Sequence, residues 1–200
     1  NKKFVGRYFM DHPKCYIGEI KYPKKKIIQK LKLEYKKIIN IYSGLSLYDK
    51  SRKNLNTYIR FEEKKSFLNF RKKLMLRIFL EMEPRFRNRI YIKDNKDKVD
   101  LQISKMEIET SKKLLKKILN FFSLKPKEEN LEFNEKNLID ASHHIGGLSF
   151  PNIVDKNLKF KGLKNIFCCS SAIFPTSGSV NPTLIICALS ERLGNYLIKR

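Results

Sequence analysis

No glycine occurs between Gly44 and Gly146, while five of the eight glycines fall after Leu138. Glycine supplies the left-handed backbone that tight turns use most readily. The middle of the chain must therefore be built from regular elements joined by glycine-free connections, and the last part must be rich in turns. Three of the seven prolines and three of the four cysteines also lie after Leu138, and Gly6 and Pro13 punctuate the opening. The shift predicts three stretches, at about 1–23, 24–137 and 138–200, with a domain boundary near Leu138. The glycines form no GxGxxG pattern, so the strand-turn-helix unit that cradles a dinucleotide pyrophosphate is not encoded in these residues.

Within the middle piece, Leu76, Ile78, Leu80 and Met82 alternate with other residues in a strand that Pro84 ends. Arg89–Ile92 and Val99–Ile103 alternate likewise around the polar KDNKDK loop, and the three segments predict an antiparallel meander. From Ile108 to Phe122 the apolar residues Ile108, Leu114, Leu115, Ile118, Leu119 and Phe122 have helical spacing, with lysines on the other face. Residues 25–42 predict a further helix. Strands backed by helices give an α+β middle domain. Near the end, Asn181 is a favoured N-cap and Pro182 suits a first helical position. The run from Leu184 to Leu189 is almost wholly apolar, which predicts a buried helix. Its first turn would offer unbonded N–H groups and a positive dipole end to an electron-rich ligand.

The 43 Lys and Arg against 20 Asp and Glu give a net charge of +23. A basic module for nucleic acid or an anionic surface is the alternative this charge raises. Lysine outnumbers arginine throughout, however, and bidentate phosphate and base reading favours arginine. Lys, Asn and Ile are all abundant, a bias of composition rather than of partner choice. No nucleic-acid partner is expected, and no run reaches the ~20 apolar residues of a membrane span. Cys15, Cys168, Cys169 and Cys187 have neither the number for a disulfide scaffold nor CxxC spacing for zinc; they are expected as small buried apolar residues, with no metal site. The opening at Asn1 has no signal-peptide pattern and is expected to be internal to a longer protein. Localisation is not encoded in it, with a cytoplasmic setting favoured.

Only three histidines are present, His12, His143 and His144. Neighbours on a strand point to opposite faces, so His143 and His144 are not expected to serve one site together. Either could accept a proton near neutral pH.

The string ASHHIGG and the following NIVDKNLKFKGLKNIFCCSSAIFPTSGSVNPTLIICALSERL resemble the C-terminal end of the glucose-methanol-choline (GMC) family of FAD-dependent oxidoreductases. VGRYFMDHP (Val5 to Pro13) is similar to that family's V-G-x-N-L-x-D-H-P segment. Glu81-Met82-Glu83-Pro84 and Asn88-Arg89-Ile90 resemble its E-Q-x-P and N-R-V pieces. The resemblance implies an α+β fold, with an antiparallel-sheet substrate-binding domain at 14–140. Residues 141–200 would form the C-terminal part of a Rossmann-like FAD-binding domain whose N-terminal half lies elsewhere, and 1–13 a segment linking from it. It also implies oxidation of a CH–OH group in a small alcohol or sugar, with an electron acceptor it does not identify; an inactive remnant is the other alternative.

In the family a histidine removes the hydroxyl proton while a hydride passes to the flavin. The H-x-x-G spacing fits His143 with Gly146 or His144 with Gly147; the continuation favours His143, with Asn181 of the NPT motif as its partner. The resemblance places Ser170, Ser171 and Ala172 beside the ribityl and pyrophosphate part of FAD, and Pro182, Thr183 and Leu184 at the flavin pyrimidine. The chain departs from the family at Ser170, where Asp or Gly is usual, and at Gly147–Phe150. His12 reads equally as a turn residue before Pro13 or a flavin contact, and Asp155 as a residue that orders a loop.

Overall fold

The computed structural model describes residues 2–21, 44–48, 55–65, 72–126, 133, 135–148 and 150–199. In chain order the elements are β1 (Arg7–Met10), β2 (Lys14–Ile20), β3 (Gly44–Tyr48), β4 (Asn56–Lys65), β5 (Lys72–Leu80), β6 (Arg89–Lys93), β7 (Lys96–Asp100), α1 (Lys105–Phe121), β8 (Ile145–Gly147) and α2 (Thr183–Ile198). They divide into two compact units interleaved in sequence. One comprises Asn1–His12, Met82–Ile103 and Ser142–Arg200; the other comprises Pro13–Glu81 and Ser104–Ala141. The segment Met82–Ile103, which the sequence assigns to a continuous middle domain, thus packs in the first unit. Among the described residues no helix is long and apolar enough to cross a membrane.

The second unit is an antiparallel sheet of order β2-β5-β4-β3. Its core face follows from alternation. Leu74, Leu76, Ile78 and Leu80 of β5 are fully buried, and the register sets Ile78 opposite Ile59 and Leu76 opposite Phe61, both buried on β4. Each such side chain contributes about 1.5–3 kcal/mol on leaving water. The helix predicted over Ile108–Phe122 is α1, and it buries Ile108, Leu114, Leu115 and Ile118. Its start is a capping box: the Ser104 hydroxyl accepts from the Glu107 N–H at 3.1 Å, and the Glu107 carboxylate accepts from the Ser104 N–H. One buried polar pair joins strand to helix, the hydroxyls of Thr57 and Ser111 at 2.9 Å. The helix expected over 25–42 lies outside the described residues.

The first unit contains the antiparallel sheet β7-β6-β1-β8. β6 and β7 form the expected hairpin, turned by Asp94 and Asn95 at φ 53° and 56°, the left-handed pair that matches strand twist and that Asn and Asp tolerate. The three-stranded meander does not form, because β5 pairs with β2 and β4 while β6 pairs with β1. Alternation fixes the two faces of a strand but not its neighbour. Ile92 and Val99 on the hairpin are 76% and 55% exposed, so alternation there does not mark a covered face.

β1 carries one extra residue against β8. Arg7 is opposite Gly147 and Met10 opposite Ile145, with Tyr8 between them at φ 57°, a bulge that breaks the ladder locally. Gly146 shows why glycine is required beside it. Its φ is +83°, and a Cβ there would stand 2.1 Å from the Tyr8 carbonyl oxygen.

α2 begins at Thr183, with Pro182 rather than Asn181 at the cap position; Pro182 has helical dihedrals and its carbonyl accepts from the Ile186 N–H at 3.0 Å. The expectation of a buried helix does not hold. Leu189 and Leu193 pack against the cluster of Ile153, Val154, Leu158 and Ile173, whereas Leu184 is 77% and Ile198 85% exposed. A helix apolar on every side needs cover on every side, and this cluster covers one stripe.

Candidate active site

The site begins where β1 ends. Met10 is fully buried with Met82 and Ile145, and the next two residues, Asp11 and His12, are 3% and 1% exposed. A buried carboxylate and a buried imidazole need polar partners, and a segment distant in sequence provides them. The Asp11 carboxylate accepts from the backbone N–H of His143 at 3.0 Å. Nδ1 of His12 stands 3.2 Å from Nδ1 of His143, with the rings edge to face. Nε2 of His12 lies 2.9 Å from the carbonyl oxygen of Ser177. Burial lowers the His12 pKa from its ordinary value, against the opposing pull of the Ser177 carbonyl, the Asp11 carboxylate and the Gly178 carbonyl.

Ser177 is itself fixed. Its hydroxyl accepts from the Met82 N–H at 3.1 Å and reaches the Met82 carbonyl at 3.0 Å. It also opens a cleft of about 460 Å³, whose wall includes Phe150, Ile173, Phe174, Gly178, Asn181 and Pro182. Ser177 therefore connects the two-histidine cluster to the cleft in which Asn181 sits.

His144 has other neighbours than His143, although both precede β8 and strand alternation does not separate them. It is exposed, its ring lies 5.5 Å from that of Phe9, and its carbonyl accepts from the Ser171 hydroxyl at 2.7 Å. The last bond ties the histidine segment to the predicted Ser170–Ala172 segment. Ser170 caps a short turn by accepting from the Ala172 N–H at 3.2 Å, and the Ala172 carbonyl accepts from the Leu148 N–H at 2.9 Å. Pro182, Thr183 and Leu184 form the opening of α2, with Thr183 and Leu184 exposed. Their N–H groups lie in the turn that intrahelical bonding leaves unserved. Asp155 orders its loop as expected, accepting from the N–H groups of Asn157 and Lys159 at 2.8 and 3.1 Å.

Cys15 is buried, Cys168 and Cys169 are half-buried outside any strand, and Cys187 is exposed, contrary to its expected burial, because it lies on an uncovered side of α2. Among the described residues no cluster of three or more His, Cys, Asp or Glu is arranged to hold a metal ion.

The model of the C-terminal GMC oxidoreductase domain matches residues 82–190, more than half of the chain. The chain belongs to the GMC oxidoreductase family. The matched residues include His143, Ser170–Ala172 and Asn181 but not His12. The curated Drosophila melanogaster protein "Neither inactivation nor afterpotential protein G" is 28% identical over 81 residues, which is 40% of this chain and 14% of that one. The crystal structure of pyridoxine 4-oxidase from Mesorbium loti has the same fold, with a TM-score of 0.66 at 14% identity over 98% of this chain and 44% of the oxidase. The chain thus spans less than half the length of either relative.

The sequence left His12 between two roles and missed its contact with His143. The DHP tripeptide was the available signal, but nothing local to it reveals a partner 131 residues away.

Proposed function

We propose that this GMC chain is part of an FAD-dependent oxidoreductase that oxidises a CH–OH group of an alcohol or sugar, with His143 as the base and Asn181 as its hydrogen-bonding partner. The observation that carries this reading is Ser177, whose carbonyl meets the His12–His143 pair and which lines the cleft together with Asn181 and Pro182. A histidine, an amide and a helix start, from residues that resemble the family's motifs, lie in one unit, which supports this reading.

The residues present fit a flavin. Thr183 and Leu184, both exposed, open a helix of 16 residues, whose first turn carries N–H groups without intrahelical partners and the positive end of its dipole. Such an end favours the negative charge that the reduced pyrimidine ring carries. FAD, when bound, supplies an acceptor for the hydride that leaves the carbinol carbon. The chain's own part is the proton and the orientation. A neutral His143 takes the hydroxyl proton as the C–H bond breaks, and the Asn181 amide holds the substrate oxygen without competing for that proton. Ser170–Ala172, tied to His144 through Ser171, would flank the cofactor's ribityl and pyrophosphate part. No GxGxxG lies in these 200 residues, so the dinucleotide end is assigned to residues beyond them.

The test is flavin reduction by a panel of primary and secondary alcohols in the FAD-loaded protein that carries this chain. His143→Ala should slow reduction by at least about a hundredfold, the low end of what a general base contributes, with FAD still bound. His144→Ala should leave the rate within a few-fold. Unchanged reduction after His143→Ala, or loss confined to His144→Ala, overturns the assignment.

A further inference from the structure

We propose that His12 is a positioning residue: through a direct ring-to-ring hydrogen bond it holds His143 in the Nδ1–H tautomer, so that the proton-accepting lone pair lies on His143 Nε2. This deepens the reading of His143 as a base and rests on it.

The argument uses the donor and acceptor inventory of two rings. A carbonyl oxygen only accepts, so the His12 nitrogen 2.9 Å from the Ser177 oxygen, Nε2, carries a hydrogen. A neutral imidazole has a single N–H. With it on Nε2, the His12 Nδ1 is an acceptor. The atom facing it at 3.2 Å is His143 Nδ1, which must then donate. A neutral His143 that donates from Nδ1 has its lone pair on Nε2, and the choice of tautomer is made by the second hydrogen bond of its neighbour's ring.

Three features keep the arrangement in this state. His12 is 1% exposed, so a charge on it would be costly. The charged and polar groups that face it are the Asp11 carboxylate, the His143 ring and the Ser177 and Gly178 carbonyls, and burial outweighs those that favour a proton. The Ser177 carbonyl is held in place because its own side chain bonds to both backbone groups of Met82. Asp11 fixes the other end through the His143 N–H. If His12 gained a second proton, its Nδ1 would become a donor, His143 Nδ1 would have to accept, and Nε2 of a neutral His143 would carry the hydrogen. That form cannot take a proton at Nε2, so neutrality of His12 is part of the design.

The first test needs no variant and no cofactor. In the chain labelled with ¹⁵N at its three histidines, long-range ¹H–¹⁵N spectra at neutral pH report which ring nitrogen bears the hydrogen. The expected result is Nε2–H for His12 and Nδ1–H for His143; Nε2–H at His143 overturns the proposal. His12→Leu removes the acceptor and should leave His143 without a single fixed tautomer. His12→Asn keeps an oxygen near the former Nδ1 and should restore it.

In the FAD-loaded protein, His12→Leu should lower the rate of alcohol-driven flavin reduction tenfold or more at unchanged KM, and His12→Asn should recover most of that loss. Equal damage by both variants, or a change in KM alone, counts against the proposal. The two readings fail separately. Nδ1–H at His143 with full activity after His143→Ala removes the base while leaving the tautomer lock. Nε2–H at His143 with activity lost after His143→Ala removes the lock while leaving the base.

Discussion

The side chain of Ser177 bonds the backbone of Met82 twice, accepting from its N–H at 3.1 Å and approaching its carbonyl at 3.0 Å, across 95 residues of sequence. Both residues are buried. The contact ties the strand-leaving segment of the chain to the loop that carries the cleft wall.

Ser177→Ala should therefore destabilise the fold by about 1–3 kcal/mol, the cost of leaving a buried backbone group without its partner. Urea unfolding of the variant checks this through a lowered midpoint at unchanged slope. A midpoint equal to the parent's would mean that the hydroxyl contributes nothing.

Ser104→Ala removes the side-chain half of the capping box at α1. The expected loss is about 1 kcal/mol, seen in thermal or urea unfolding, whereas Ser104→Asp keeps an acceptor and should retain most of it. Loss of equal size in both would count against the cap.

Gly146→Ala places a Cβ against the Tyr8 carbonyl at a φ of +83°. Backbone strain of this type costs about 1–3 kcal/mol, and the clash adds to it, so a marginally stable domain should be obtained largely unfolded. Gly147→Ala, whose Cβ would find its nearest atom at 3.8 Å, meets the strain without the clash and should be the milder change. The reverse ranking, read from soluble yield and circular dichroism, would contradict the local geometry.

The lowered pKa of His12 sets a direction for acid stability. The unfolded histidine titrates near 6.5 and the folded one below it. Between these values the unfolded chain binds a proton that the folded chain refuses, so stability rises with pH in that window and is lost as pH falls below about 6.5. Above it His12 contributes no pH dependence. His12→Asn, measured beside the parent by urea unfolding across this range, should show the shallower fall. Parallel curves would show that the buried ring is not the group responsible.

Much of the second unit is legible in the sequence because its signals are local. Alternation at Leu76, Ile78 and Leu80 names the buried face of β5, and the spacing of Ile108, Leu114, Leu115 and Ile118 names that of α1. Strand partners are not legible this way: nothing in Arg89–Ile92 distinguishes β5 from β1 as a neighbour. The burial of α2 is not legible from its apolar composition, because the cover available to a helix is a property of the rest of the unit. In the site, the Ser-Gly-Ser-Val-Asn-Pro-Thr segment and the HHIGG turn stand out by themselves. Their link through His12 does not, since it depends on a bulge at Tyr8 and a hydrogen bond spanning the length of the chain.

β1 lies between β6 and β8 in its sheet, so four residues near the start of the chain join pieces that occur about eighty and a hundred and forty positions later. The homology domain at 82–190 contains β6, β7, β8 and the opening of α2 but not the strand that unites them. Modularity of the matched domain is therefore not modularity of this polypeptide: a gene fusion, truncation or expression boundary drawn at Met82 would keep the recognisable motifs and discard both the strand that assembles them and the ring that faces His143.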